Sequence, residues 1–265
     1  MSANLTDLMA RLGCVGLGLV LVGQAEPTLA GTFSTSLTRV SLSASAPSAV
    51  LKLRNEGSAV LRLQVGAFAW QQTASGEMQL TPTTDVVFFP ALLTLGPGQE
   101  RKVRIGTTAG FGPAEKPYRI FLDELPSTGP APQGIRMRTR VSLPVFVGDA
   151  SAAAKAEIDD IRLRGATLSF RLRNPGTAHL PPGELEVSAT NETGRTVVTD
   201  RLKNWYVLPG GERIHDIAIP SDACAQIRRV VVAGRFASVA LEQTAEATIA
   251  ACGADQVQSI DPRSE

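Results

Sequence analysis

The sequence has few of the residues from which enzymes and nucleic-acid-binding proteins build their sites. Its 265 residues include only 2 His, and they contain no G-x-S-x-G, H-E-x-x-H or G-x-x-x-x-G-K motif. The net charge is +1, which gives no support for nucleic-acid binding. We therefore expect a protein that is not an enzyme, needs no cofactor and has no nucleic-acid partner.

Aromatic residues and helical patterns are also scarce. With only 2 Trp and 2 Tyr, the chain has little material for the exposed aromatic platform of a carbohydrate-binding module. Short runs of Val, Leu, Ile, Phe and Thr alternate instead with clusters of Gly, Pro, Asn and Ser. This pattern is typical of immunoglobulin-like β-sandwiches. A length of 265 residues is enough for two such cores of about 100–150 residues each.

The N-terminus has the layout of an export signal. Arg11 precedes an uncharged run over residues 12–23, which is followed by small residues ending at Ala25 and Ala30. The run is shorter than a membrane span requires, and its flanks are those of a secretory signal peptide. We expect cleavage after Ala25 or Ala30 and no stable membrane insertion. An uncleaved membrane anchor is the alternative.

Removal of the signal, together with its Cys14, leaves two cysteines. Cys224 and Cys252 of an exported chain most simply form one disulfide. A metal site would need further ligands, and His179 and His215 show no clustered spacing with the cysteines. We therefore predict a disulfide that joins two late strands, and no metal site.

Two short motifs occur twice in the same order. L-K-L-R-N-E-G at residues 51–57 is echoed by F-R-L-R-N-P-G at 170–176, and L-G-P-G-Q-E-R at 95–101 by L-P-G-G-E-R at 208–213. The repetition indicates two domains with related strand plans, although turn chemistry alone also produces such echoes. The predicted segments are a signal peptide (1–30), a first domain (31–148), a linker (149–154), a second domain (155–253) and a flexible tail (254–265).

Residues 134–147, G-I-R-M-R-T-R-V-S-L-P-V-F-V, predict an unusual strand. Alternate side chains of a β-strand point to opposite faces, so one face is apolar and the other is rich in arginine. Pro144 lacks a backbone donor, which confines the strand to a sheet edge or to a point where pairing changes. Because proteins normally avoid an open apolar edge, we infer that this strand pairs with another polypeptide.

The first domain also carries a series of motifs in a fixed order. They are T-R-V-S-L at 38–42, L-R-N-E-G at 53–57, V-F-F-P at 87–90, L-G-P-G-Q-E-R-K-V-R at 95–104 and Y-R-I-F-L-D-E-L-P at 118–126. Together with the strand at 134–147, they resemble the PapD-like periplasmic chaperones of the chaperone–usher pathway, which assemble fimbriae and pili. The second domain matches that family only in outline, through its position, its turns and its cysteine pair.

The resemblance implies an all-β periplasmic protein with two immunoglobulin-like domains set at an angle around a cleft. Such chaperones bind pilus subunits that lack a final strand, lend them a strand of the first domain, and deliver them to an outer-membrane usher. The resemblance also allows self-association of the free chain. The residues that it identifies as the donor strand are Ile135, Met137, Thr139, Val141 and Leu143.

Basic residues in the cleft of this family hold the C-terminal carboxylate of the subunit. Arg39 matches the first of them, whereas Ser142 stands where the family usually has a lysine. This departure leaves Arg119 and Arg140 as candidates for the second anchor, since an arginine can bind a carboxylate through two parallel hydrogen bonds. The sequence does not decide between these two arginines.

Two other functions are compatible with exported sandwich domains. A structural pilus subunit or adhesin would carry an alternating extension at its mature N-terminus, whereas the stretch before the first predicted strand is short here. Another secreted immunoglobulin-like binding module would need exposed aromatic residues, which are few. We therefore expect a chaperone rather than either alternative.

Overall fold

The computed structural model describes residues 33–126, 137–246 and 258–259, and the regular secondary structure of these residues is almost entirely β-strand. The first half contains β1 (Phe33–Thr35), β2 (Val40–Leu42), β3 (Ser48–Asn55), β4 (Leu61–Gln72), β5 (Met78–Pro82), β6 (Val86–Phe89), β7 (Leu92–Leu95), β8 (Glu100–Thr107), β9 (Lys116–Glu124) and β10 (Arg140–Val147). The second half contains β11 (Glu157–Arg164), β12 (Thr167–Arg173), β13 (Gly183–Thr190), β14 (Thr196–Asn204), β15 (Glu212–Ala218), the short helix α1 (Ser221–Cys224), β16 (Arg229–Phe236), β17 (Val239–Glu246) and β18 (Gln258–Ser259). The predicted all-β, two-sandwich fold class is confirmed.

Two sheets pack face to face in the first sandwich. One sheet has the strand order β1-β3-β8-β6, and the other has the order β2-β10-β9-β4-β5, with β7 also paired to β4. Apolar side chains alternate inward along these strands, as Leu51 and Leu53 of β3 do, and both are 0% exposed. Each such leucine contributes about 1.5–3 kcal/mol by leaving water, so the alternation fixes which face of each strand is buried.

The second sandwich has its own core. Its sheets have the orders β15-β12-β11-β18 and β14-β13-β16-β17, and their inner faces meet around Phe170 and Phe236. Cys224, in α1, is disulfide-bonded. Cys252 lies outside the described residues, so its pairing with Cys224 stays a prediction.

The part of the chain that the structure describes lacks two further features. No group of three or more His, Cys, Asp or Glu side chains there could hold a metal ion. No helix there is long and apolar enough to cross a membrane.

Strand β10 has different neighbours at its two ends. It pairs antiparallel with β9 along its whole length, from Arg140 to Val147. It pairs parallel with β2 only from Val145 to Val147. Pro144 therefore directly precedes the point where the second neighbour begins, which confirms that this proline marks a change in pairing.

The strand is shorter than the sequence predicts. Residues 134–136 lie outside the described part, and residues 137–139 have no regular structure. The physical reason is visible at Thr139, whose backbone N–H donates to the Glu124 carboxylate at 3.0 Å. A side chain thus takes the place that the carbonyl of the neighbouring strand would have in a continuing ladder.

The two repeated motifs meet each other in space, once in each sandwich. Asn55 exchanges two backbone hydrogen bonds, of 2.9 and 3.0 Å, with the turn at residues 96–99. Asn174 exchanges two equivalent bonds, both of 2.9 Å, with the turn at residues 208–211. The repetition in sequence therefore corresponds to the same contact between an asparagine and a turn, which forms once in each sandwich.

The side chains of the two asparagines add further hydrogen bonds to this contact. Asn55 is 1% exposed, and its Nδ2 donates to the carbonyls of Ala59 at 2.8 Å and Leu95 at 3.0 Å. Asn174 is 0% exposed, and its Nδ2 donates to the carbonyl of Val207 at 3.0 Å. Each asparagine satisfies a buried backbone carbonyl, that of Leu95 or that of Val207.

We expect Asn55→Ala and Asn174→Ala each to lower the free energy of unfolding by about 2–4 kcal/mol, because buried carbonyls lose their donor. Denaturant unfolding measures the loss. Asn191→Ala is the matched control: this asparagine bonds only within its own turn, and its loss should stay below about 1 kcal/mol. Equal losses at all three positions would contradict this role.

Candidate functional site

One edge of β10 is open. Within the described residues, no strand pairs with the side of Arg140–Pro144 that faces away from β9. Backbone groups of alternate residues point to opposite sides of a strand. The backbone N–H of Gly148 donates to β2, and the backbone carbonyl of Thr139 accepts from β9. The backbone N–H and carbonyl groups of the even-numbered residues of β10 therefore point to the open side. Arg140 and Ser142 therefore offer free-side N–H groups, and Pro144 offers none.

Acidic residues of β9 hold the beginning of this open stretch. The guanidinium of Arg140 makes two hydrogen bonds to the carboxylate of Asp123, which lies directly opposite. It also lies 5.2 Å from the centre of the Phe121 ring. The hydrogen bond with Asp123 raises the pKa of Arg140 above its ordinary value. Arg140 is thus already paired, although its side chain is 67% exposed.

The predicted donor residues have different environments. Leu143 is 3% exposed and belongs to the core of the first sandwich. Val141 is half-buried against the same core, and Thr139 is half-buried. Met137 is 70% exposed, and Ile135 lies outside the described residues. Among the described residues of this set, Met137 therefore has the most exposed side chain.

The three candidate anchors also differ. Arg39 is exposed and directly precedes β2. Since Val40 lies opposite Val145 in the parallel pair, Arg39 is level with Pro144, where the open edge ends. Arg119 lies opposite Pro144 on the other side, in β9, and it is 2% exposed. Arg39 and Arg119 therefore flank one end of the open edge.

Arg119 is a buried cation without an acidic partner in the part of the chain described. Its Cζ lies 3.9 Å from the centre of the Trp70 ring, and its Nη1 lies 3.4 Å from Ser142 Oγ. Its Nε and Nη2 are buried and, among the described atoms, have no hydrogen-bond partner. Burial lowers the pKa of Arg119, and the nearby Tyr206 opposes that shift. A guanidinium stays charged even so.

A buried, uncompensated charge is costly, so it needs an explanation in terms of a ligand or a function. The unused donors of Arg119 lie beside the strand with the open edge. The arrangement therefore suits an anionic group that arrives with a partner. Ser142, which stands in the position of the expected lysine, contacts this arginine rather than replacing the missing charge.

The second domain packs against the same region. Trp70 and Phe146 of the first domain form one buried cluster with Tyr206 and Leu208 of the second. The side-chain amide of Gln72 donates to the carbonyl of Tyr206 at 2.9 Å and accepts from the N–H of Leu208 at 3.2 Å. The ring that covers one side of Arg119 is therefore held from both domains.

A second contact between the domains is centred on His179. Its ring stacks on Phe146 of β10 with ring centres 3.6 Å apart. Its backbone N–H donates to the Glu115 carboxylate at 2.7 Å, and its Nδ1 lies 2.7 Å from the same oxygen. The paired end of β10 is thus held against the second domain.

We expect the free Arg119→Met variant to be at least as stable as the parent chain, because an apolar side chain of similar length replaces an uncompensated buried charge. Thermal unfolding without any partner measures this. Arg140→Met is the matched control at the exposed, paired arginine. A loss of about 3–5 kcal/mol for Arg119→Met, the size expected when a buried ion pair is broken, would show that Arg119 already has a compensating anion.

Comparison with known proteins assigns a family to the first domain. Residues 32–150 match the family described as pili and flagellar-assembly chaperone, PapD N-terminal domain. Among curated proteins, no sequence matches the chain.

Solved structures show the same fold. A chain of the CsuC–CsuE chaperone–tip adhesion subunit complex of Acinetobacter baumannii has a TM-score of 0.54 and 16% identity, with 81% of this chain and 98% of that chain covered. A chain of the SafA pilin–SafB chaperone complex of Salmonella enterica gives 0.53 and 16%, with 81% and 97% covered. The E. coli chaperone DraB gives 0.51 and 16%, with 83% and 100% covered.

Proposed function

We propose that this chain, whose residues 32–150 match the family of pili and flagellar-assembly chaperones, binds pilus subunits in the periplasm by donor-strand complementation and delivers them to an outer-membrane usher. The observation that carries this proposal is the open edge of β10 over Arg140–Pro144, which ends where β2 begins. An added strand gains main-chain hydrogen bonds along such an edge and specificity from alternate side chains. The proposal assigns no catalytic step and no cofactor to the chain.

In this proposal the subunit strand continues both the line and the direction of β2. A strand in line with β2 would run parallel to β10, as β2 does. Its C-terminus would then arrive beside Arg39, at the level of Pro144. An exposed arginine at that point can bind the terminal carboxylate bidentately. Arg119 adds a positive charge that burial shields from salt, because buried charges are screened less than exposed ones.

Arg140 is the weaker candidate for the second anchor. It lies four residues before Pro144, which is about 13 Å along a strand, so it stands at the other end of the open edge. Its guanidinium is also committed to Asp123. We therefore assign the carboxylate to Arg39 and Arg119 and a strand-holding role to Arg140.

The apolar contribution to binding comes from the beginning of the strand. Met137 is exposed and would fill a groove in the subunit, where burial of such a side chain contributes about 1.5–3 kcal/mol. Ile135 continues the same face in sequence. Val141 and Leu143 face the core of the chaperone itself, so in this proposal they connect the two cores rather than insert into the partner.

We expect Met137→Asp to abolish recovery of the subunit when both are expressed together in the periplasm, because a charge would then have to enter an apolar groove. Co-purification measures this. Met78→Asp is the matched control, since Met78 is also exposed, at 42%, but lies on β5 at the other edge of the sheet. Undiminished recovery with Met137→Asp, or equal loss in both variants, would remove the donor-strand assignment.

The anchors are tested by Arg39→Ala, Arg119→Ala and Arg140→Ala. We expect the first two to weaken subunit binding by about 30-fold or more, the effect of removing one partner of a desolvated charge pair. Arg140→Ala should retain binding close to that of the parent chain. Binding of the purified subunit by each variant gives the comparison. A loss confined to Arg140→Ala would reverse the assignment.

A further inference from the structure

A cluster of basic residues lies on the outer face of the four-stranded sheet of the first sandwich. Lys52 of β3 stands directly opposite Lys102 of β8, and Arg104 follows Lys102 on the same face of β8. All three side chains belong to exposed residues. We call this set, Lys52, Lys102 and Arg104, the cationic face.

The cationic face is not neutralised by the residues around it. Across residues 33–126, 137–246 and 258–259, none of its three members forms an ion pair. The acidic residue nearest in register, Glu100, stands opposite Arg54, which itself pairs with Glu56 at 3.4 Å. Like charges directly opposite each other on a sheet are destabilising. The arrangement therefore costs stability that an anionic partner would recover.

Apolar side chains border the cationic face on one side. Val50 and Phe89 both stand opposite Arg104, on the two neighbouring strands, and they are 43% and 78% exposed. Val87, on the next row, is 46% exposed. Exposed apolar residues that adjoin a charged patch mark a surface for a membrane or another protein.

We propose that this surface binds anionic phospholipid. Two of the three cations are lysines, which act as point charges, whereas an arginine is suited to gripping individual carboxylates. Lysine is also depleted in protein–protein interfaces. Lysines next to an exposed phenylalanine fit a surface of anionic headgroups, with the ring at the headgroup boundary. Phe89, the most exposed of the apolar residues, takes that place.

The surface is compatible with subunit binding. The cationic face belongs to the sheet β1-β3-β8-β6, whereas the open edge of β10 belongs to the other sheet of the same sandwich. A chain loaded with a subunit would therefore keep this face free. The biological setting, a chaperone close to the outer membrane, rests on the proposed function, but the lipid contact itself uses different residues.

Flotation with vesicles tests the proposal without any subunit. The purified chain is mixed with vesicles of phosphatidylethanolamine that either contain or lack phosphatidylglycerol. We expect binding only when phosphatidylglycerol is present, and loss of that binding at about 1 M salt, where charges are screened within about 3 Å. Binding to both kinds of vesicle, or to neither, would overturn the proposal.

Charge removal then locates the surface. Lys52→Gln with Lys102→Gln should weaken vesicle binding about 25-fold, since each basic residue near an anionic surface contributes about fivefold. Arg195→Gln with Lys203→Gln removes the same charge from exposed positions of the second domain and should have little effect. Equal weakening in both double variants would show that vesicle binding depends only on the net charge of the chain, and this would overturn the proposal.

Two further outcomes separate the alternatives. If the chain ignores vesicles but binds poly-L-glutamate through Lys52 and Lys102, the partner is an acidic protein and the lipid assignment is wrong. The Lys52→Gln and Lys102→Gln double variant should also capture subunits as well as the parent chain does. If the chain does not bind vesicles but still captures subunits, only the proposed lipid surface is refuted. If subunit capture does not depend on Met137, only the proposed function is refuted.

Discussion

The structure depends on one local constraint, the change of neighbours along β10. Pro144 has no N–H, and its backbone faces the side away from β9, so the ladder to β9 continues without interruption. On the other side, β2 covers only Val145–Val147. The same strand is thus a core element at one end and an unpaired edge at the other. Both the fold and the proposed binding of a subunit require this division.

The second domain acts on the same strand. His179 stacks on Phe146, and Tyr206 packs with Phe146 and Trp70, so the paired end of β10 lies in the contact between the domains. Trp70 in turn lies against Arg119. The buried charge near the end of the open edge is therefore positioned by both domains. In the proposed function, the domain junction therefore takes part in recognition as well as in connecting the two sandwiches.

Part of this could be predicted from the sequence. The period of two in the apolar residues gives the β class, and Pro144 indicates the change in pairing, because both depend on local backbone chemistry. The separation of Met137 from Leu143 could not be predicted, since both have the same parity and the sequence does not show that the regular strand begins only at Arg140, which leaves Met137 outside it. Nor could the burial of Arg119, since its neighbour Trp70 is far away in the chain. Similarly, Arg140 gives no sign in sequence that Asp123 will stand opposite.

Amide hydrogen exchange at Arg140 and Ser142 tests whether a subunit strand pairs with the open edge of β10. Their N–H groups face the open side, whereas the backbone of Val141 between them faces β9. We expect a bound subunit to slow exchange at Arg140 and Ser142 by at least about 100-fold, as expected when an amide enters a stable ladder, while Val141 is already protected in the free chain. Exchange at Arg140 and Ser142 that is unchanged in the complex would contradict this pairing.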